Sequence, residues 1–435
     1  MITTKYVRDN LSAIRESLQR RRSDYPIDEV IALDEKIRKA KTEMQKLQEK
    51  RNAESLEVSK LKKAGADASK KIEGLGKTKE AINELEKELQ KLEERADFLL
   101  WNMPNIIDSS VPYGRDDSEN VEIRKWGDTS KRIDVGHAEI LERLGLVDLE
   151  RAAKISGSRF YYLKGDLVLL EHSLIRFVMD ELYAKGFTPI ATPYMLRKKY
   201  YRSVTGLGDF EDALYAATDT KEVAGKEEYE RMEDEMFLIA TSEHPIAAMY
   251  AGEVLSEKDL PIKYAGFSTC FRREAGSHGK DSKGIFRVHQ FEKVEQFVFC
   301  TPEDSWRIYD EMIANQESIY QKLGLPYHVV NICTGDLGVV AAKKIDIEGW
   351  FPGQQRYREL TSGSNCTDWQ SRRLDIKYDG KNGREYVHTL NATGVAVQRV
   401  LAAIAENYLD NDGSIIVPDA LIKYMGKDRI SLKQQ

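Results

Sequence analysis

The chain has 435 residues, which is enough for two or three domains, and its net charge of −6 excludes an overall basic, nucleic-acid-coating protein. The four cysteines form no CxxC pair and the seven histidines show no paired-ligand spacing, so neither a disulfide framework nor structural zinc is expected. No signal peptide or membrane helix is expected either, and the composition favours a cytoplasmic protein.

The first hundred residues predict a short helical cap followed by a long helical hairpin. Apolar residues recur at heptad spacing from Val30 to Leu61 and again from Leu75 to Met103, with a glycine-containing break at 64–67. Two such helices joined by a short link form an antiparallel coiled coil over about residues 28–103, and Pro104 ends it. About 35 residues per helix give an arm of roughly 50 Å.

The arm has two possible uses. A long heptad hairpin often serves only as a dimerising coiled coil or a spacer. Between Lys60 and Glu80, however, seven lysines face three acidic residues, while the shaft is close to neutral. A positively charged tip favours contact with a polyanion at the far end of the arm.

The rest of the chain predicts an α+β domain. Residues 105–127 are rich in Pro, Asp and Ser and are interpreted as a linker, with the second domain at 128–435. A helix is expected at Leu167–Lys185, then a proline-containing edge strand at Phe187–Pro193. Beyond it, hairpin-joined strands outnumber helices, which predicts an antiparallel β-sheet flanked by helices. The chain has no P-loop, so a nucleotide would lie on an open sheet.

Two predicted strands, Cys270–Glu274 and Ile285–Phe299, carry charges that a buried strand would not have. Strand alternation places the following side chains on one face: Arg272 and Glu274, then Arg287, His289, Phe291, Lys293 and Glu295. Such a face is either an exposed hairpin or a ligand site. The Gly- and Lys-containing loop between the strands is expected to be a mobile flap over a phosphate.

Three further stretches join this one: FLIATSEHP at 237–245, YRELTSGSNCTDWQ at 357–370 and HTLNATGVAVQR at 388–399. Together they resemble the signature motifs of class II aminoacyl-tRNA synthetases. Residues 186–193 resemble the first motif, Phe271-Arg272-x-Glu274 the second, and Gly394-x-Ala396-x-x-x-Arg399 the third. TSE at 241–243, FRVHQFxKVEQF at 286–297 and the SGSNCTDWQxRR run are similar to the seryl-tRNA synthetase family. The N-terminal arm, within residues 1–104, resembles that family's tRNA-binding domain, so the resemblance covers essentially the whole chain.

The resemblance implies a serine–tRNA ligase. Such an enzyme joins L-serine to ATP as seryl-adenylate and passes the seryl group to tRNA(Ser), with tRNA(Sec) as a second candidate. A magnesium ion, a homodimer formed through the region of Pro193 and a cytoplasmic location are implied as well. Two alternatives are a catalytically silent tRNA-binding paralogue, which would lack some of the motif residues, and a carrier-protein amino-acid ligase, which would lack the arm.

The resemblance also implies which residues act. The catalytic set is Arg272, Glu274, Arg287, Glu295, Glu359 and Arg399. Serine is expected at Thr241, Ser242, Glu243, Arg272, Glu295, Asn391 and Thr393. ATP is expected at Arg272, Arg273, Glu274, Arg287, Val288, His289, Gln290, Phe291, Glu359, Leu360, Thr361, Ser362 and Arg399. Magnesium is expected at Glu359 and Ser362.

Three positions depart from the family pattern. Ser242 stands where alanine is frequent, Gly363 where Cys or Ala is common, and Ala392-Thr393 replaces a frequent Gly-Ser or Ser-Thr pair. These changes concern the dimensions of the serine pocket. His244 is interpreted as a helix-start residue, while the sequence leaves open whether Lys293 binds a ligand or is solvated.

Overall fold

The computed structural model describes residues 3–206, 213–217, 235–274, 283–381 and 383–432. The chain divides into two compact units, Met1–Ile106 and Ile107–Gln435. The predicted flap sequence at 276–280 lies outside the described residues. Among the helices that are described, none is both long and apolar enough to cross a membrane.

The first unit is a helical hairpin with a small cap. Its helices are α1 (Thr4–Asp9), α2 (Leu11–Arg20), α3 (Ile27–Lys63) and α4 (Ser69–Trp101). A hydrophobic cluster at the base joins the cap to both long helices through Val7, Ile14, Leu18, Val30, Leu33, Ile37, Ala96, Leu99, Leu100 and Met103. Farther out the buried seam becomes sparser, and at Thr78 it is polar, because the Thr78 hydroxyl donates to the Glu54 carboxylate at 2.8 Å.

The second unit has nine α-helices within its described residues. They are α5 (His137–Arg143), α6 (Leu149–Ser156), α7 (Asp166–Ala184), α8 (Lys198–Val204), α9 (Glu243–Ala248), α10 (Ser305–Lys322), α11 (Trp369–Leu374), α12 (Val397–Asn407) and α13 (Asp419–Met425). The long apolar faces of α7, α10 and α12 pack against the sheet described next. That packing builds the main hydrophobic core.

The strands described in this unit form one large sheet and four small ones. The strands are β1 (Val121–Trp126), β2 (Val147–Asp148), β3 (Tyr162–Leu163), β4 (Thr188–Ala191), β5 (Met195–Arg197), β6 (Ala216–Ala217), β7 (Met236–Leu238), β8 (Val254–Ser256), β9 (Ile262–Phe271), β10 (Gln290–Cys300), β11 (Tyr327–Asn331), β12 (Lys343–Phe351), β13 (Arg356–Asn365), β14 (Lys377–Gly380), β15 (Gly383–Tyr386), β16 (His388–Ala396), β17 (Ile415–Ile416) and β18 (Arg429–Ile430). The large sheet has the order β1-β11-β12-β13-β16-β10-β9-β4. Its neighbours are antiparallel except for β4 and β9, which confirms the predicted antiparallel sheet.

Strand β10 shows how the sheet divides its two faces. Val294 and Val298 belong to the core under α7, α10 and α12. Phe297 and Phe299 point the other way and pack in a second cluster with residues of α8 and α9. Lys293 and Glu295 precede them on that second face, so the charges predicted for this strand do not enter the main core.

Two sequence interpretations need correction. Residues 121–126, assigned to the linker, form the edge strand β1, which pairs with β11. The two predicted strands are too long, since β9 ends at Phe271 and β10 begins only at Gln290. The backbone leaves the ladder there because the Arg273 N–H donates to the carbonyl of Ala213 at 2.8 Å. The edge position predicted for the proline-containing strand is confirmed by β4.

Candidate active site

A cavity of about 460 Å³ lies in the second unit, where β9 ends and β10, β13 and β16 run side by side. It brings together most of the predicted site residues: Thr241, Glu243, Arg272, Glu274, Arg287, Val288, Phe291, Glu295, Glu359, Leu360, Thr361, Ser362, Asn391, Thr393 and Arg399. Four predicted residues do not line it: Ser242, Arg273, His289 and Gln290. Residues more than 150 positions apart therefore share one cavity because the sheet order places their strands together.

Arg272 is held from behind by His289. The Arg272 N–H donates to the His289 carbonyl at 2.9 Å, and the His289 ring nitrogen Nδ1 meets the Arg272 carbonyl at 2.9 Å. The Arg272 guanidinium lies over the Phe291 ring, 5.2 Å from its centre. Among the described residues its buried Nε has no hydrogen-bond partner, so it retains a donor for a ligand. His289 thus supports the site without lining it.

An ion pair joins Glu274 to Arg287. Arg287 Nη1 lies 2.7 Å from Glu274 Oε2, and Arg159 donates to the Glu274 carbonyl at 3.2 Å. The Glu274 backbone is left-handed, with φ of 50°, a conformation that a non-glycine residue rarely adopts without support. This geometry favours Glu274 as the residue that orients Arg287.

Glu359 and Arg399 form the second charged pair of the cavity. Arg399 Nη1 lies 3.2 Å from Glu359 Oε1 and donates to the Glu359 carbonyl at 3.0 Å. The Arg399 charge lowers the pKa of Glu359 to about 2, so this carboxylate is ionised at neutral pH. The Arg399 guanidinium also lies over the Phe286 ring, 5.2 Å from its centre. Phe286 is an aromatic support that sequence reasoning did not assign.

The buried end of the cavity is built around Glu295. Its carboxylate is 2.5 Å from the Lys293 ammonium, and the Thr393 hydroxyl donates to it at 2.9 Å. The side chains of Lys293 and Glu295 are only 7% and 1% exposed, so the pair is shielded from water. Lys293, which the sequence left open, is therefore a wall of the pocket and the buried counter-charge of Glu295.

Glu243 stands beside this pair at the start of α9. The Gln370 amide donates to its carboxylate at 2.9 Å. Burial, and then the charge of Glu295, raise the pKa of Glu243 to about 7. The site is thus poised to take up a positive charge next to Glu243, which would favour its ionised form.

Two neighbours of Glu243 have structural contacts. The Ser242 hydroxyl donates to the Gly266 carbonyl at 3.0 Å and ties the start of α9 to β9. His244 is buried, and its Nδ1 lies 2.9 Å from the Tyr201 hydroxyl. Burial lowers the pKa of His244 to about 3, so its ring is neutral at physiological pH.

Several polar residues of the cavity wall were not among the predicted site residues. They are Asp336, Lys344, Ser364, Cys366 and Gln398. Lys344 lies on β12, where its ammonium is 3.4 Å from Asp346 and its register partner on β13 is Ser364. Lys344 lies on a strand next to the motif strand, but the order of the strands is not visible in the sequence.

A sheet of this topology, with three arginines, their carboxylate partners and an aromatic ring around one cavity, defines a class II aminoacyl-tRNA synthetase. Residues 226–408 match the family described as the tRNA synthetase class II core domain (G, H, P, S and T). Residues 1–107 match the seryl-tRNA synthetase N-terminal domain.

Whole-chain comparisons narrow the class to one family. The serine–tRNA ligase of Methanocella arvoryzae is 46% identical over 434 residues, covering 98% of this chain and 99% of that protein. That of Thermococcus onnurineus is 45% identical, covering 98% and 96%. The crystal structure of Pyrococcus horikoshii seryl-tRNA synthetase complexed with ATP is 42% identical with a TM-score of 0.91, covering 100% of both chains. The chain belongs to the seryl-tRNA synthetase family, the serine–tRNA ligases.

Proposed function

We propose that the cavity described above is where L-serine and ATP react, and that the seryl group then passes from it to the terminal ribose of tRNA(Ser). The observation that carries this assignment is the division of the cavity. One end holds the arginines and the aromatic ring, and the other end holds a small buried pocket of hydroxyl and carboxylate groups. Such a layout suits a nucleotide on one side and a small polar amino acid on the other.

The nucleotide end supplies positive charge and stacking surfaces. Arg272, with its unpaired donor, would bind both the α-phosphate and the serine carboxylate. Phe291 and Arg399 would lie on the two faces of adenine, and Arg287, oriented by Glu274, would bind the terminal phosphates. A serine carboxylate oxygen then attacks the α-phosphorus, the bond to the bridging oxygen breaks, and pyrophosphate leaves. These groups act by positioning and charge stabilisation.

The amino-acid end would recognise serine through its three polar groups. Glu295, held by Lys293 and Thr393, would accept a hydrogen bond from the serine hydroxyl. Thr241 and Glu243 would take the ammonium group, whose charge favours the ionised form of Glu243. Alanine would leave the polar atoms of this pocket unpaired and should be rejected strongly. Threonine would have to be excluded by the size of the pocket.

The residues at the metal position fit a magnesium ion. Glu359 is ionised, and Ser362 lines the same part of the cavity, so both offer the oxygen ligands that magnesium prefers. Within the described residues no cluster of three or more His, Cys, Asp or Glu could hold a metal. Magnesium held by Glu359 and Ser362 would therefore keep water and phosphate oxygens as further ligands and neutralise phosphate charge.

The arm would hold the tRNA. Lys71 and Lys77 near its tip are paired with Glu57 and Glu73. The other five lysines of the tip are exposed and suit phosphate contacts: Lys60, Lys62, Lys63, Lys70 and Lys79. Deleting residues 30–100 should then leave adenylate formation largely intact and abolish tRNA charging, whereas an equal loss of both would refute this division of roles.

The assembly and the range of tRNA substrates are further proposals. We propose a cytoplasmic homodimer that uses the region after β4, where Tyr194 and Met195 are 38% and 46% exposed. Light scattering of the purified chain tests the dimer, and a monomer at micromolar concentration would refute it. Charging assays with separate tRNA(Ser) and tRNA(Sec) transcripts test whether the second is a substrate.

The experiment that tests the active site is ATP–pyrophosphate exchange with single amino acids. Serine should support exchange, and exchange with alanine or glycine but not serine would refute the assignment. Arg272→Ala should abolish it, because the proposed contact to the α-phosphate is lost. Arg176→Ala on α7 is the matched control, because Arg176 is exposed and paired with Asp180. Near-normal exchange by Arg272→Ala would overturn the placement of ATP.

A further inference from the structure

The side chain of Gln398, which lines the cavity, makes three hydrogen bonds. It is 1% exposed and lies on α12, one position before Arg399. Its Oε1 accepts the backbone N–H of Glu292 at 2.8 Å. Its Nε2 donates to Glu292 Oε2 and to Glu171 Oε1, both at 2.7 Å. One amide therefore uses its carbonyl and both N–H groups on two acidic residues.

These contacts connect three separate elements. Glu292 is the residue after Phe291 on β10, Glu171 lies on α7, and Gln398 lies at the start of α12. The Tyr161 hydroxyl also donates to Glu292 Oε2, at 3.4 Å. The hydrogen bonds thus fix the first turn of α12 against the part of β10 that carries Phe291.

The two carboxyl groups are too close to be ionised together without a cost. Burial, and then the charge of Glu292, raise the pKa of Glu171 to about 8. The groups that face Glu171 here are Glu292, Gln398 and the Tyr161 hydroxyl, and none of them carries a positive charge. At neutral pH the pair of Glu171 and Glu292 therefore shares one proton, and both carboxyl groups are hydrogen-bonded to Gln398.

We infer that Gln398, Glu171 and Glu292 form a buried clamp that sets the distance between Phe291 and Arg399, the two side chains proposed to enclose adenine. This inference rests on the proposed function, because it assigns the clamp to the nucleotide end of that site. The clamp residues are positioning residues, since the cavity contacts on adenine are made by their neighbours in the chain. Loosening the clamp should weaken adenine binding and leave the serine pocket and the phosphate contacts unchanged.

The test is steady-state exchange kinetics of Gln398→Met, which keeps the length of the side chain and removes its hydrogen bonds. The KM for ATP should rise about tenfold, the effect of losing a hydrogen bond to a charged group. The KM values for serine and for pyrophosphate should stay within about twofold. Gln321→Met on α10 is the matched control, because Gln321 loses its hydrogen bond to Tyr327 far from the cavity. The control should leave the KM values for ATP, serine and pyrophosphate unchanged.

A second variant tests the shared proton. Glu171→Gln places an amide N–H where the proton sits, so its KM for ATP should match the parent enzyme at pH 7. The parent KM for ATP should rise above about pH 8 as Glu171 ionises, and that of Glu171→Gln should not. A flat parent profile would overturn the clamp, and so would an unchanged KM for ATP in Gln398→Met. With exchange still abolished by Arg272→Ala, either result would leave the proposed function in place.

Discussion

The buried pair of Lys293 and Glu295 allows the stability and the specificity of the pocket to be separated. Glu295→Gln keeps the shape of the side chain and an acceptor for the Thr393 hydroxyl, but it leaves the Lys293 ammonium buried without its counter-charge. Removing one partner of a buried ion pair costs about 3–5 kcal/mol of unfolding free energy. Both side chains are less than a tenth exposed, so the upper half of that range applies.

The double variant Lys293→Met/Glu295→Gln removes both charges at once. Replacing a buried pair by uncharged groups of similar volume is often neutral, so this variant should recover most of the lost stability. The pairwise coupling energy should therefore be about 3 kcal/mol. Yet serine-dependent exchange should be absent in the double variant, because the group proposed to accept the serine hydroxyl has lost its charge.

Urea unfolding of the full chain, followed by circular dichroism, gives the stability, and pyrophosphate exchange gives the activity. The matched control is Asp379→Asn/Arg384→Met, because these paired side chains are 67% and 66% exposed. Its coupling energy should be below about 1 kcal/mol. The reasoning would be refuted if the losses of unfolding free energy in the two single variants simply added up in the double variant. It would also be refuted if the stable double variant still catalysed serine-dependent exchange.

Two further predictions concern the sheet. Burial lowers the pKa of His328, but hydrogen bonds to Glu348 and Glu122 raise it by more, so the net shift is upward. The charged ring therefore stabilises the edge of the sheet fully below about pH 6.5, and this stability is lost as the pH rises through the raised pKa. His328→Gln should make the urea midpoint of unfolding less dependent on pH across that window. An unchanged pH dependence of the midpoint would contradict the assignment. Gly363→Ala would place a Cβ 2.5 Å from Ile313 Cδ1, so it should cost about 1–3 kcal/mol. Thermal melting should show that loss, and an added Ile313→Val should restore most of it.

More of the residues that line the cavity could be predicted from the sequence than of the residues that hold them in place. Arg272, Glu359 and Arg399 stand in recognisable motifs, and heptad spacing revealed the arm without any motif. The pairing of Lys293 with Glu295 is different, because a charged residue on a strand reads as solvated until the elements covering that face are known. Likewise Gln398 becomes significant only when α7 and β10 meet at its side chain.

Strand alternation failed at His289, which it placed on the face of Phe291 and Lys293 but which does not line the cavity. The rule assumes that the strand extends back to Ile285, whereas β10 begins only at Gln290. Lys344 was given no role in the site for a related reason. Its strand is close to the cavity only because β12 pairs with β13, and a single sequence does not state which strands are neighbours.

The thinning of the apolar seam along the arm has a kinetic consequence. Opening should begin at the turn and travel inward, so amide hydrogens near Val58 and Ile82 should exchange with solvent sooner than those near Val30 and Leu99. The hydrogen bond between Thr78 and Glu54 fixes the register of the two helices, because a shift of one helix along the other would bury the Thr78 hydroxyl without a partner. The arm can therefore fray and close again at its far end and return each time to the same alignment.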